Sequence, residues 1–139
     1  MKISLWEDTE NEKQDILNLT KKTFGDVDIA KTVYFDWQYR NSPYGKAVVL
    51  LSRDTDSNNV LVGIHSLIPL KLIVDGEIIT SSVCCNVQIH PDYRKKHIFS
   101  NLLSSVPESA LTNNINSFFG IPNDNSFKAF INHGSIEIT

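Results

Sequence analysis

The sequence has little of what several protein classes require. It holds two cysteines, Cys84 and Cys85, and they are adjacent. Neighbouring side chains on an extended strand point to opposite faces, so a bond between these two is strained and no disulfide framework is expected. A reducing, cytoplasmic setting suits such a chain. The two cysteines and the four histidines, His65, His90, His97 and His133, do not fall at the spacing of a zinc site, so no metal is expected. No apolar run approaches the roughly 18 residues of a membrane span, and the N-terminus turns acidic at Glu7-Asp8, unlike a secretory leader. Basic excess is missing too. Lys and Arg number 13 against 16 Asp and Glu, a net charge of −3. That speaks against general nucleic-acid binding, although Arg94-Lys95-Lys96 forms one local basic patch. Internal repeats, linkers and low-complexity segments are absent.

What is present is the composition of one globular domain: 139 residues, 41% hydrophobic and 21% charged. Residues 2–6 read as a strand. Ile16, Leu17, Leu19 and Phe24 recur at helical intervals over 10–23, with Gly25 as the stop. Asp8, Glu10 and Glu12 make a charged start for that helix. A second helix is expected over 30–41, with Trp37 and Tyr39 packing it on the sheet, ending before Asn41-Ser42-Pro43. Residues 46–51 are a strand, 53–59 a turn, and 60–74 and 77–89 two long strands. Asp75-Gly76 joins the long strands as a two-residue hairpin turn. His65 lies in this alternating region and reads as structural. A helix begins near His97, with Ile98, Leu102, Leu103 and Val106 on one face and Pro107 expected to kink or end it. Residues 116–121 are a strand, 124–133 a helix stopped by Gly134, and Ser135 to Thr139 the first half of another strand. The order β-α-α-β-β-β-α-β-α-(β) gives an α/β (α+β) fold. It has a mixed, mostly antiparallel central sheet with flanking helices and one parallel βαβ unit.

The chemistry concentrates between Val83 and Leu103. A strand ends in a short loop, a helix follows at once, and Arg94, Lys95 and Lys96 lie in that loop. The first N–H groups of a helix lack internal partners and the helix dipole adds about half a positive charge. Such a junction can seat a diphosphate, and a solvated basic turn is the plainer alternative.

The stretch Val87-Gln88-Ile89-His90-Pro91-Asp92-Tyr93-Arg94-Lys95-Lys96-His97-Ile98-Phe99-Ser100-Asn101-Leu102-Leu103 resembles the acetyl-CoA-binding motif of the GNAT N-acetyltransferase superfamily, "V-x-P-x-Y-R-G-x-G-I-x-x-x-L-L". Phe35 to Gly45, FDWQYRNSPYG, resembles "F-x-W-K-Y-x-x-N-P-x-G" of one bacterial branch. Gly120 to Ser126, GIPNDNS, resembles that branch's "G-F-P-N-x-x-S". The resemblance spans essentially the whole chain in the right order. It implies acetyl-CoA as co-substrate, lying in a gap where two parallel strands splay. Val87, Gln88 and Ile89 would pair with its pantetheine amides, and Arg94, Lys95, Lys96, His97, Ile98, Phe99 and Ser100 would surround its diphosphate. Asn123 and Ser126 would flank the gap, with Asn123 equally readable as a helix N-cap. A primary amine, of a small molecule or a peptide, would attack the thioester directly. Tyr34, Tyr39 and Arg40 are candidates to line the acceptor groove. His90 is a weak candidate for the base, and a strand-end histidine is its simpler reading. Neither cysteine has a paired histidine in view, so neither is expected as a nucleophile.

The chain departs from that motif in two places. Lys95, His97 and Phe99 stand where the family loop has small residues, mostly glycine, so the loop risks a clash or an unfavourable φ. His97 reads either as a further phosphate donor or as a plain helix start. The family fold also continues beyond its last helix with two more strands, and this chain is expected to lack them. The tyrosine that usually protonates the departing thiolate has no counterpart after Tyr93, where Phe127 and Phe130 occupy the last helix. An open sheet edge invites a second copy, so a homodimer is expected. The alternative function is a degenerate domain that binds CoA or a protein without catalysis.

Overall fold

The computed structural model describes residues 1–138. Five strands form one sheet in the order β1-β2-β3-β4-β5: β1 (Lys2–Leu5), β2 (Val48–Asp54), β3 (Val60–Val74), β4 (Glu77–Ile89) and β5 (Phe119–Gly120). The first four pair antiparallel, and β4 with β5 is the one parallel pair. The β3–β4 hairpin turns at Asp75 and Gly76 with φ of 50° and 82°, the left-handed pair that the Asp-Gly dipeptide implies.

Both sheet faces are covered, which explains the unbroken apolar run in β2. Val49 and Leu51 face α1 (Glu10–Phe24) and Phe35 and Tyr39 of the next helical stretch, while Val48 and Leu50 face α3 (Ile98–Thr112). Thr9 and Glu12 close a capping box on α1, and Gly25, at φ 81°, ends it by donating its N–H to the Lys21 carbonyl. The charged start expected there divides its labour. Glu12 caps, while Asp8 and Glu10 pair with Arg40.

Three expectations are corrected. The second helix is broken: a short α2 (Thr32–Phe35) runs into a π-helical segment, Asp36–Arg40. One extra residue per turn keeps Phe35 and Tyr39 inward, stacked at 4.7 Å, and turns Trp37 outward, where it is 61% exposed. Trp37 therefore does not pack on the sheet. Pro107 does not end α3, which continues to Thr112. Proline removes a single N–H and costs about 3 kcal/mol. Burial of Leu102, Val106 and Ala110 on one face, at about 1.5–3 kcal/mol per large side chain, outweighs it. The third correction concerns the end of the chain. Of 116–121 only Phe119–Gly120 is regular strand, although Asn116 and Ser117 also bond to β4 at Thr80 and Ser82, and Pro122, which cannot donate to a ladder, closes its far end. α4 (Asp124–Asn132) follows. Residues 135–138 form no strand, and Thr139 lies outside the described residues.

Candidate functional site

The candidate site is the place where β4 and β5 part. Val83 pairs with Phe119 and Cys84 with Gly120; there β5 ends, while β4 runs on to Ile89 with no neighbour on that side. β4 also bulges here. Ser66 of β3 pairs with Cys85, but Ile64 pairs with Gln88, so Asn86 and Val87 together oppose His65. Asn86 is left-handed at φ 52°, which asparagine tolerates well.

The bulge sends Asn86 toward the π-helical segment. Its Nδ2 donates to Gln38 Oε1 at 2.7 Å and to Tyr39 Oη at 3.0 Å. Tyr39 Oη shares a 2.9 Å bond with Ser66 Oγ. Burial pushes the Tyr39 phenol up, so it stays protonated. Burial likewise raises the Cys84 thiol to about 12, with Cys85 adding to it, and the Cys85 thiol to about 11. Neither is a thiolate at neutral pH.

β4 leads to Ile89, a short turn at 91–93 and the loop 94–97. Of the three positions where the loop risked an unfavourable φ, Lys95 and His97 do adopt φ of 70° and 58°, while Phe99 lies inside α3 without a positive φ. This is the backbone that glycine takes freely, held here by two side-chain-bearing residues. None of the N–H groups of residues 95–97 donates to a protein acceptor among the described residues, and the first N–H groups of α3 follow directly. Arg94, Lys95, Lys96 and His97 are exposed, and Arg94 has no ion pair among the described residues. Lys96 Nζ lies 4.5 Å from the centre of the Tyr93 ring. The result is a ring of outward N–H donors edged by cations at one mouth of the strand gap, the arrangement that binds a phosphate. Among the described residues no group of His, Cys, Asp and Glu could hold a metal.

The other site residues fall into three groups. Val87 and Ile89 are half-buried on the open stretch of β4, and Gln88 is turned to α1, where Thr20 Oγ1 donates to its Oε1 at 3.0 Å. The Ile98 side chain is core, so only its backbone N–H reaches the loop. Phe99 and Phe130 meet edge to face at 5.9 Å, bringing α4 over the gap, and Ser100 is half-buried beside them. Asn123 does cap α4, accepting from Ser126 N and Ser126 Oγ at 3.0 Å each. On the opposite face Tyr39 is core, Tyr34 packs edge-on against Trp37 at 5.3 Å, and Arg40 is committed to Asp8, Glu10 and Asp36. His90 Nδ1 accepts from Asp92 N at 3.2 Å and its Nε2 faces Lys22 Nζ at 3.4 Å, on the α1 side of β4.

Sequence reasoning missed Asn86, Gln38 and Ser66. The signal was present: an asparagine inside an otherwise apolar strand run, just where alternation slips, marks a bulge.

The family model described as an acetyltransferase (GNAT) domain matches residues 7–129. No curated protein matches the sequence. Solved structures with the same fold include an acetyltransferase of Trypanosoma brucei, 14% identical, with 99% of this chain and 95% of that one covered and a TM-score of 0.74. A predicted acetyltransferase from Clostridium acetobutylicum, solved with acetyl-CoA, is 14% identical over 99% of this chain and 92% of that one at TM-score 0.74. An aminoglycoside 6'-N-acetyltransferase from Acinetobacter haemolyticus is 17% identical over 100% of this chain and 93% of that one at TM-score 0.71. At these identities the likeness is one of fold.

Proposed function

The chain belongs to the GNAT acetyltransferase family, and from that premise we propose that it moves an acetyl group from acetyl-CoA to a primary amine. The observation that carries the reading is the run of free N–H groups at 95–97 beside Arg94, at the mouth of the β4–β5 gap. Those donors would hold the diphosphate, and the unpaired edge of β4 at Val87 to Ile89 would hold the pantetheine amides. The neutral amine nitrogen attacks the thioester carbonyl; the C–N bond forms, the C–S bond breaks, CoA leaves as the thiolate, and the nitrogen's extra proton passes to water. In this reading N–H groups on the β4 edge at the bulge would stabilise negative charge on that carbonyl oxygen.

A stability measurement tests the cofactor half. Acetyl-CoA at 100 times its dissociation constant is expected to stabilise the fold by about 2.7 kcal/mol, seen as a rise in Tm that ADP alone does not match. Arg94→Glu leaves the unliganded Tm unchanged, because Arg94 is exposed and unpaired, and weakens acetyl-CoA tenfold or more. A variant that binds as well as the parent removes the loop from the site.

The acceptor side supports a narrower reading. Asp36 pairs with Lys13 and Arg40, Asp8 with Arg40 and Lys46, and Asp28 with Lys31. Asp26 is the one carboxylate between α1 and the π-helical segment without an ion pair among the described residues. Exposed Val33, Trp37 and Tyr44 and the half-buried Gln38–Asn86 amide pair dominate instead. Such a surface suits an amine on an apolar or aromatic body. In an assay of CoA release, tyramine or a neutral peptide N-terminus is expected to turn over faster than the polycation kanamycin. The reverse order would refute this acceptor class.

A further inference from the structure

A cleft lies on the α1 side of the sheet, near the loop 94–97. Its centre is His90, 9% exposed. The ring is fixed at both nitrogens: Nδ1 stands 3.2 Å from the Asp92 N–H, and Nε2 stands 3.4 Å from Lys22 Nζ. Both of these nearest groups are donors, and the Asp92 carboxylate stands farther off, 3.9 Å from Nδ1. An ammonium has no lone pair, and a backbone N–H has none to offer. A neutral imidazole carries one N–H and one lone pair, so either tautomer satisfies one neighbour and turns a donor on the other. The short, capping bond to Asp92 selects the Nε2–H form, in which the imidazole N–H and the Lys22 ammonium face each other with no acceptor between them. The charged imidazolium turns its Nδ1–H toward the Asp92 carboxylate, 3.9 Å away, and still leaves its Nε2–H donor-to-donor with Lys22.

This mismatch opens into a cleft of about 290 Å³ whose lining includes Asn18, Lys21, Lys22 and His90. The carboxylate on its rim, Asp15, is held by Arg53 at 2.7 Å and does not reach Lys22. Lys21 and Lys22 close the last turn of α1, where the helix's own C-terminal carbonyls draw cations. Across the His90 ring stands Tyr93, edge-on at 5.4 Å, with Lys96 over its far face.

We infer that this cleft is a binding site for a small oxyanion, a phosphate or carboxylate group, gripped by His90 Nε2–H and the Lys22 ammonium with Lys21 beside them. An oxygen lying between the two donors accepts from both and turns a repulsive pair into two charge-assisted bonds. The site is separate from the loop amides at 95–97 and does not depend on the acetyltransferase reading.

The test follows His90 directly. The ring-nitrogen NMR signals of the ¹⁵N-labelled full chain are assigned with a His90→Asn variant, then titrated separately with inorganic phosphate and with acetate. The inference expects a saturable shift of Nε2 with at least one of them and a tenfold or greater loss of affinity in Lys22→Gln. Lys22 is exposed, so this variant folds, and the unliganded protein is expected to be no less stable for losing one of two facing donors. A response to phosphate alone marks a phosphate site and a response to acetate alone a carboxylate site. No response to either anion overturns the inference, as does a response that Lys22→Gln keeps or that Arg94→Glu removes.

Discussion

Lowering the pH from 6.5 to 4 is expected to cost the folded chain roughly 3 kcal/mol through one side chain, His65. Burial depresses this imidazole from 6.5 to about 4. It is wholly enclosed on the α3 face of the sheet, edge-on to Phe130 at 6.4 Å, and neither ring nitrogen has a partner. The folded protein therefore keeps it neutral while the unfolded chain protonates it. Above pH 6.5 both states are neutral and nothing is lost. As the pH falls through that value the unfolded state gains a proton that the folded state refuses, and the loss is complete near pH 4. The shifted carboxylates act in a separate window. Burial of Asp8 is outweighed by Lys46 and Arg40, Asp28 is lowered by Lys31, and Asp54 by the Tyr93 hydroxyl, all from 3.8, so their contributions fade only below that value. Urea unfolding at pH 7.5, 6.5, 5.5 and 4.5 reads the slope. His65→Leu is expected to flatten it and, with the two orphaned nitrogens gone, to be at least as stable as the parent at pH 7.5. A His65→Leu slope equal to the parent's would assign the acid sensitivity elsewhere.

The second large effect is expected at Gly63. A Cβ on this residue would stand 2.8 Å from Ile98 Cγ2, 3.0 Å from Ile89 Cδ1 and 3.2 Å from Leu102 Cδ1. Here the bare β3 backbone packs directly on the Ile98 and Leu102 side chains of α3. Gly63→Val must push that turn outward, at a cost of roughly 3 kcal/mol. Gly63→Ala meets mainly the one Ile98 methyl and should cost about 1 kcal/mol. Because Ile98 directly follows the loop, Gly63→Val is also expected to weaken acetyl-CoA more than its loss of stability explains. Urea midpoints and the ligand-induced rise in Tm, measured on both variants, separate the two effects. A Val variant with normal stability would show that α3 can yield at no cost.

Gly63 also illustrates what the sequence leaves unread. Strand order and the hairpin follow from local signals: apolar runs of the right length, Asp75-Gly76 between two of them, Gly25 and Gly134 after helical periods. The loop proposed to hold the diphosphate is equally local, since Arg94 to Ile98 lie side by side in the chain. The strain expected at Lys95 and His97 is present as positive φ. The unread features join residues far apart. The π-helical turn exists to stack Phe35 and Tyr39 under Trp6, whose Nε1 donates to the Ala47 carbonyl at 2.9 Å. Asn86 finds Gln38 across 48 residues, and Thr20 finds Gln88 across 68. No periodicity within one element announces such partners, so the acceptor-side network and the His90 cleft appear only once β4 lies beside α1.

The two-residue seam between β4 and β5 has a consequence for the order of folding. Strands β2 to β4 close through neighbouring hairpins, whereas β5 must return across all of α3 to make its two register pairs with β4. Loop closure of that kind is costly and is rewarded late. α4, which depends on β5 for its position, has no fully buried residue. The meander and α1 thus form the unit that persists, and β5 with α4 the unit that docks last and opens first. One wall of the gap belongs to each unit, so a ligand seated between them draws its late-folding half into the cooperative whole.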